Sequence, residues 1–110
     1  MRSLCALVAI LVGPLAGAQD DLTTGDHKLG KQVFDRWCIH CHAPGPGYPG
    51  TQRLTIDRGA DRAIIEQRTD LPDPYIRLVV RQGFREMPSF RLTEISATEL
   101  DALVGYLTRH

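Results

Sequence analysis

The sequence predicts an all-α domain with long irregular connections. No segment alternates apolar and polar residues with a period of two, and no run is rich in β-branched residues. Two segments instead combine a helix start signal with apolar residues at helical spacing, one beginning near residue 73 and the other near residue 96. The chain has 110 residues, enough for a single domain, and its 13 Lys and Arg balance 13 Asp and Glu, so it lacks the basic excess of a nucleic-acid-binding protein.

Residues 1–18 have the layout of a cleaved secretory signal peptide. An arginine precedes the apolar run 4–12, and small residues at 16–18 form a cleavage site. The apolar run is too short to span a bilayer, so we expect no membrane anchor. Cys5 lies before the run rather than after it, which disfavours a lipoprotein. The mature domain is therefore predicted to be residues 19–110, exported to the periplasm with a net charge of −1, because one arginine is the only charge removed.

The first helix of the mature domain is predicted from about residue 27 to residue 38. Asp26 is a suitable N-cap, and the preceding residues 20–26 are polar and predicted to fray. Apolar residues recur every four positions along one stripe of this helix: Leu29, Val33 and Trp37. The helix therefore has a face to bury.

The middle of the chain has weaker signals. Six of the seven residues 44–50 are Gly or Pro, which predicts a loop directly after the cysteines. Residues 60–68 are compatible with a short helix, but only the three consecutive residues 63–65 offer apolar side chains to bury. Irregular structure is expected to dominate this region.

The two C-terminal helices have the strongest start signals. Asp73 as N-cap with proline at the next position predicts a helix that ends at Gly83. Its expected apolar face consists of Tyr75, Ile76, Val79 and Val80. Residues 96–99, Ser-Ala-Thr-Glu, form a capping box. The apolar residues that follow recur at helical spacing to the end of the chain: Leu100, Leu103, Val104 and Leu107.

The segment Cys38-Ile39-His40-Cys41-His42 carries the chemistry. Two thiols three positions apart at a helix end can each form a thioether with a vinyl group of haem, and a histidine directly after the second thiol presents its imidazole to the iron. The sequence therefore predicts covalent attachment of one haem at Cys38 and Cys41, with His42 as an axial ligand.

Three other uses of the two cysteines are disfavoured. A thioredoxin-type redox pair follows a strand of a βαβ unit, and no strand is predicted here. A structural zinc site needs four ligands, and the mature chain has no second cysteine pair. A disulfide between Cys38 and Cys41 would close a very small loop with little entropic gain, and it would leave His42 without a role.

The second axial ligand is predicted to be Met87, the one methionine left after loss of the signal peptide. The other histidines are poorly placed, because they lie three turns back on the same helix, between the two cysteines, or at the terminus: His27, His40 and His110. Pro88 stiffens the backbone after Met87. The alternative is that Met87 only fills the core. Ligation by His and Met occupies both axial positions and raises the potential, which suits one-electron transfer rather than conversion of a substrate.

With this motif, the mature chain resembles the class I cytochromes c over nearly all of its length. Gly30 and Phe34 in the first helix and residues 103–107 in the last are similar to that family's crossed helix pair. The resemblance implies three to five helices around a covalently bound haem, with crossed N- and C-terminal helices. It also implies that a proline carbonyl accepts a hydrogen bond from the axial imidazole. The candidates, of which the last is favoured, are Pro44, Pro46 and Pro49.

The second half of the chain has a more specific resemblance. Residues 73–77, 80–90 and 93–95 are similar to the cytochrome subunits of the p-cresol methylhydroxylase and eugenol hydroxylase type of flavocytochrome, and residues 66–71 resemble the eugenol-type members. In these proteins a separate FAD subunit oxidises a 4-alkylphenol, with water as the oxygen source.

The resemblance implies an electron-transfer subunit that is not an enzyme on its own. It would accept single electrons from the FAD of a partner flavoprotein that hydroxylates 4-alkylphenols and pass them to a soluble periplasmic acceptor. Docking is expected at the exposed thioether edge and the loop 84–90, although Phe84 and Phe90 could equally pack in the haem pocket. The alternative function is a free-standing, diffusible periplasmic electron carrier.

Overall fold

A computed structural model describes the backbone of residues 19–109 and the side chains of residues 26–109. The predicted signal peptide, residues 1–18, lies outside the described residues, and so does Cys5. The described part of the chain forms five α-helices: α1 Gln19–Trp37, α2 Ile39–His42, α3 Pro49–Arg58, α4 Asp73–Gln82 and α5 Ala97–Leu107. Two 3-10 helices, Ala60–Arg62 and Ile65–Gln67, connect α3 to α4.

The all-α prediction is confirmed. No strand is formed between residues 19 and 109, where the extended pairing is limited to an isolated antiparallel bridge between Phe84 and Met87. None of the described helices is both long and apolar enough to cross a membrane.

Helix α1 begins earlier than predicted. It starts at Gln19, so residues 20–26 are helical rather than frayed, and the prediction of an N-cap at Asp26 was wrong. No proline or turn dipeptide interrupts this stretch, and the capping preference of one residue is too weak to end a helix by itself. The predicted C-terminal end is nearly correct, because α1 stops at Trp37, directly before Cys38.

Helices α1 and α5 cross as the family resemblance implied. A Cβ placed on Gly30 would lie 2.1 Å from the carbonyl oxygen of Ala102 and 2.6 Å from the Cβ of Tyr106, so only glycine permits this approach. Phe34, one turn further along α1, is fully buried, and its ring centroid lies 6.0 Å from that of Tyr106. Leu103 fills the same core with no exposed surface. This crossing closes the core behind the cysteine motif.

Helix α3 was not predicted. The irregular segment ends at Tyr48, and Pro49 takes the first position of a ten-residue helix that ends before Gly59, whose φ is 93°. Proline at the start and glycine after the end are helix boundary signals that fit this outcome. The helix has few apolar residues to bury, with Thr51 its one fully buried side chain, so hydrophobic periodicity does not reveal it.

The short helix expected over residues 60–68 is replaced by the two 3-10 helices. Within this stretch Ala63 alone is fully buried, at 2% exposure. With so little apolar surface to bury, the segment has no packing to hold a longer α-helix, which explains the difference.

The C-terminal helices form where they were predicted. Helix α4 begins with Asp73, although the N-cap is Pro72 rather than Asp73. Ile76 and Val80 are buried on its apolar face, whereas Tyr75 is 40% exposed. Helix α5 has the predicted capping box: Glu99 N–H donates to the Ser96 hydroxyl at 3.2 Å, and Ser96 N–H donates to the Glu99 carboxylate at 2.8 Å.

Candidate haem site

The cysteine motif lies on a single helical turn. The backbone N–H of Cys38 donates to the carbonyl of Phe34 at 2.8 Å, which continues the hydrogen bonding of α1. The carbonyl of Cys38 accepts from the N–H of Cys41 at 3.1 Å and from that of His42 at 2.9 Å. Both thiols and the imidazole are therefore presented by residues within one turn, which is the arrangement that the sequence predicts.

The two thiols are not equivalent. Cys38 is buried and belongs to the hydrophobic core, whereas Cys41 is exposed, and no disulfide joins them. Burial raises the pKa of the Cys38 thiol to about 12, with smaller contributions from Cys41 and Glu66. A redox-active Cys-x-x-Cys pair requires a thiol whose pKa is lowered. Cys38 is therefore a poor nucleophile in this environment.

His42 is held by packing. Its Nδ1 is buried with no hydrogen-bond partner among the described residues. A Cβ on Gly50 would lie 2.7 Å from His42 Cε1, 2.9 Å from Nδ1 and 2.8 Å from the carbonyl oxygen of Cys41. Burial also lowers the pKa of the imidazole, which favours the neutral ring that binds a metal. Gly50 was not predicted as a site residue. Its only signal in the sequence is its place at the end of the Gly- and Pro-rich segment that follows the cysteine motif.

Pro49 does not contact His42 through a hydrogen bond in this structure. It begins α3, where the carbonyl groups of the first turn accept intrahelical hydrogen bonds. Gly50 lies against the ring, and the assignment of Pro49 remains a prediction. The buried hydroxyl of Thr51 donates to the carbonyl of Ala43 at 2.8 Å, which fixes α3 to the residue after His42.

Met87 lies in a tight turn directly after α4. Phe84 N–H donates to the Met87 carbonyl at 3.1 Å, and Met87 N–H donates to the Phe84 carbonyl at 3.0 Å. The two residues between them include Arg85, which has a φ of 54°, a value that favours glycine. The Met87 side chain is half-buried and packs against the core. The turn therefore places Met87 outside a helix, after the predicted end of α4 at Gly83.

The structure brings the segments that carry the four predicted site residues together. The ring of Trp37, next to Cys38, packs edge-on against the ring of Phe90, three residues after Met87, with 5.7 Å between centroids. Both rings and Met87 pack against the core cluster that contains Cys38. Phe90 is half-buried in this contact, which supports a packing role, whereas Phe84 is 53% exposed.

A cavity of about 510 Å³ lies beside the Met87 turn. Its lining comes from α3, the segment before α4, the first turn of α4 and the Met87 turn: Leu54, Asp57, Arg58, Arg68, Leu71, Pro72, Tyr75, Phe84 and Arg85. None of the four predicted site residues is part of this lining. Three arginines against one carboxylate give the cavity a net positive charge, and Arg85 Nη1 lies 2.9 Å from Asp57 Oδ2.

These residues fit a haem. Two thiols share one turn with an imidazole whose pKa is lowered by burial, and a half-buried thioether lies in a separate segment that packs against the same core. A crossed helix pair that closes the core beside a Cys-x-x-Cys-His turn is typical of a cytochrome c. The chain belongs to the cytochrome c family: the family model described as "Cytochrome C oxidase, cbb3-type, subunit III" matches residues 25–107. Proteins of this family bind haem c and transfer electrons.

Two curated relatives align with nearly the whole chain. The cytochrome c subunit of 4-cresol dehydrogenase (hydroxylating) from Pseudomonas putida is 30% identical over 107 residues, which cover 97% of this chain and 82% of the relative. Cytochrome c-552 from Bradyrhizobium diazoefficiens is 23% identical over 107 residues, which cover 97% of this chain and 94% of the relative. No solved structure matches the chain.

Proposed function

We propose that this chain is the electron-transfer subunit of a flavocytochrome. It accepts single electrons from the FAD of a partner flavoprotein that hydroxylates 4-alkylphenols, and it passes them to a downstream periplasmic acceptor. The observation that carries this proposal is the 30% identity, over 97% of the chain, to a relative named as the cytochrome c subunit of a hydroxylating 4-cresol dehydrogenase. Oxidation of the phenol is assigned to the partner, so the chain is not an enzyme on its own.

Four side chains are proposed to hold one haem. Cys38 and Cys41 would form the two thioethers, and His42 and Met87 would be the ligands of the iron. The single helical turn of the motif, the enclosure of the imidazole by Gly50 and the fixed turn around Met87 support this assignment.

The bound haem would supply one-electron chemistry by cycling between ferric and ferrous iron. The chain's own contribution would be two ligands, the imidazole of His42 and the thioether of Met87, which would leave no position on the iron for oxygen or a substrate. A thioether ligand favours the ferrous state, which raises the reduction potential and makes the haem a good acceptor.

Docking of the flavoprotein is proposed around the exposed Cys41 and the Met87 turn. Cys41 is exposed at the motif, and Phe84 places 53% of its surface in contact with solvent beside the cavity. Exposed aromatic side chains such as that of Phe84 are enriched in protein–protein interfaces.

Residues 1–18 are proposed to direct export and to be removed, which leaves the cytochrome c domain at 19–110. The basic, apolar and small-residue segments of the leader support this assignment. Thioether formation needs both thiols reduced in an otherwise oxidising compartment, so a dedicated maturation system is implied.

The test is co-expression of the full-length chain with a candidate FAD-linked phenol-oxidising protein from an adjacent gene. We expect a stoichiometric complex by gel filtration, and reduction of its haem when a 4-alkylphenol is added under anaerobic conditions. Replacement of Phe84 by Ala should weaken the complex and leave the haem spectrum of the isolated cytochrome unchanged.

A cytochrome that elutes as a monomer beside its candidate flavoprotein, and is not reduced when that protein turns over, would contradict the subunit assignment. In that case the free-standing periplasmic carrier would be the better description. Its haem would still be reduced by small-molecule donors, so the electron-transfer function would stand.

A further inference from the structure

Arg81 joins helix α4 to the far end of the loop that carries Met87. Its guanidinium donates through Nη1 to the carbonyl of Phe90 at 3.1 Å and to that of Ile95 at 2.7 Å. Nη2 lies 3.3 Å from the carbonyl of Ser96. One half-buried side chain therefore contacts three backbone carbonyls that lie 9 to 15 residues further along the chain.

This arginine differs from its neighbour on the same helix. Arg77 pairs with the carboxylates of Asp73 and Asp101 on the exposed surface. No carboxylate pairs with Arg81 within the described residues, and its described hydrogen bonds go to loop carbonyls. A charged donor that binds several backbone carbonyls holds those parts of the backbone together, whereas an exposed ion pair joins only side chains.

The other contacts of the loop include the exposed Arg85–Asp57 ion pair before Met87 and the packing of Phe90 on Trp37 after it. Residues 84–86 and 91–94 are exposed, so much of the segment between α4 and α5 buries little surface. Ile95 is fully buried, and the N–H of Phe90 donates to the carbonyl of Val80 at 2.8 Å. The contacts of Arg81 lie on this same stretch, so removing them takes away part of what holds the loop on the side that follows Met87.

We propose that Arg81 is a positioning residue for Met87: by holding the carbonyls of residues 90, 95 and 96 against α4, it keeps the Met87 loop closed and the thioether on the iron. The inference rests on the proposed ligation of the haem by His42 and Met87. In this proposal Arg81 does not contact the haem. It determines how often Met87 leaves the iron.

The test measures how readily an external ligand replaces Met87 in the ferric holoprotein. Imidazole can bind the iron only after the thioether leaves, so its apparent affinity scales with the population of the open loop. Because hydrogen bonds from a charged group are lost, we expect Arg81→Met to raise the apparent imidazole affinity about 10- to 100-fold. Arg81→Lys keeps the positive charge but lacks the planar guanidinium that donates to several carbonyls at once. It should therefore raise the apparent imidazole affinity by a smaller factor.

Two controls separate positioning from general stability. Arg77→Met removes an arginine from the same helix and should leave the imidazole affinity within about twofold of wild type, since its ion pairs are exposed. In a Met87→Ala background no thioether has to leave, so adding Arg81→Met should change the affinity by less than about twofold.

The outcomes are distinguishable. Equal imidazole affinities for the wild type and Met87→Ala would show that Met87 is not a ligand, which refutes the proposed ligation whatever Arg81 does. If Met87 ligates but Arg81→Met and Arg81→Lys bind imidazole like the wild type, the positioning role is refuted. An equal effect of Arg81→Met with and without Met87 would also refute it. Should Arg81→Met yield no holoprotein, the same comparison with Arg81→Lys decides.

Discussion

Replacement of Gly50 by alanine tests whether α3 packs against the imidazole of His42. The added Cβ would lie 2.7 Å from Cε1 and 2.9 Å from Nδ1 of that ring, and 2.8 Å from the carbonyl oxygen of Cys41. Carbon atoms in contact are normally about 3.5–4.0 Å apart, so the ring or the start of α3 has to move by up to about 1 Å.

The magnitude follows from two opposing effects. Overpacking of this kind costs about 1–3 kcal/mol, and alanine recovers up to about 1 kcal/mol of helix propensity relative to glycine. We therefore expect the free energy of unfolding of Gly50→Ala to fall by about 1–2 kcal/mol, which lowers the Tm by about 5–15 °C for a domain of this size. The assay is thermal unfolding of the holoprotein, followed by helical circular dichroism and by haem absorbance.

Gly105→Ala is the matched control. Gly105 lies within α5, and a Cβ placed there meets nothing within 4 Å. This variant should be more stable than wild type by about 0.5–1 kcal/mol, because the same substitution acts without a clash. If Gly50→Ala were stabilised like Gly105→Ala, with an unchanged haem spectrum, the proposed packing of α3 on His42 would be wrong.

Three further predictions concern other parts of the molecule. Gly30→Ala would place a Cβ 2.1 Å from the backbone oxygen of Ala102, so urea denaturation should show a loss of about 3 kcal/mol; a loss below about 1 kcal/mol would contradict the close helix crossing. Hydrogen bonds from Ser96 lower the pKa of Glu99 below 4.5, so its stabilisation is present above pH 4.5 and is lost as the pH falls through the lower folded value. The Tm difference between wild type and Glu99→Gln should therefore shrink at low pH, and a constant difference would argue against this assignment. Cys41→Ser should express little haem-stained protein, and a normal yield would refute two-thioether attachment.

The fold could be predicted where local signals and burial agree. The capping box at Ser96 and the apolar spacing that follows it both favour α5, and that helix forms as expected. Helix α3 has proline and glycine at its ends but little apolar surface, so its stability comes from contacts such as that of Thr51 with Ala43, which the sequence does not reveal. The start of α1 was missed because a polar composition does not by itself prevent a helix.

The sequence suggests which residues would bind the haem, but not which residues hold them in place. The four proposed haem residues rest on the spacing of the cysteine motif and on the single methionine after residue 18, and their ligation of a haem stays a prediction. Gly50 and Arg81 were not identified, because their contacts join segments that are distant in the sequence or irregular in structure. Close approach to a ring and donation to loop carbonyls depend on the fold, and they become visible only in three dimensions.

Mass spectrometry of the denatured, trypsin-digested protein tests directly whether one haem is attached to both Cys38 and Cys41. Cleavage after Arg36 and Arg53 places both cysteines on one peptide, residues 37–53. We expect this peptide at its own mass plus one haem, with neither thiol available to an alkylating reagent. A peptide without haem, with two alkylated cysteines or a disulfide between them, would contradict it.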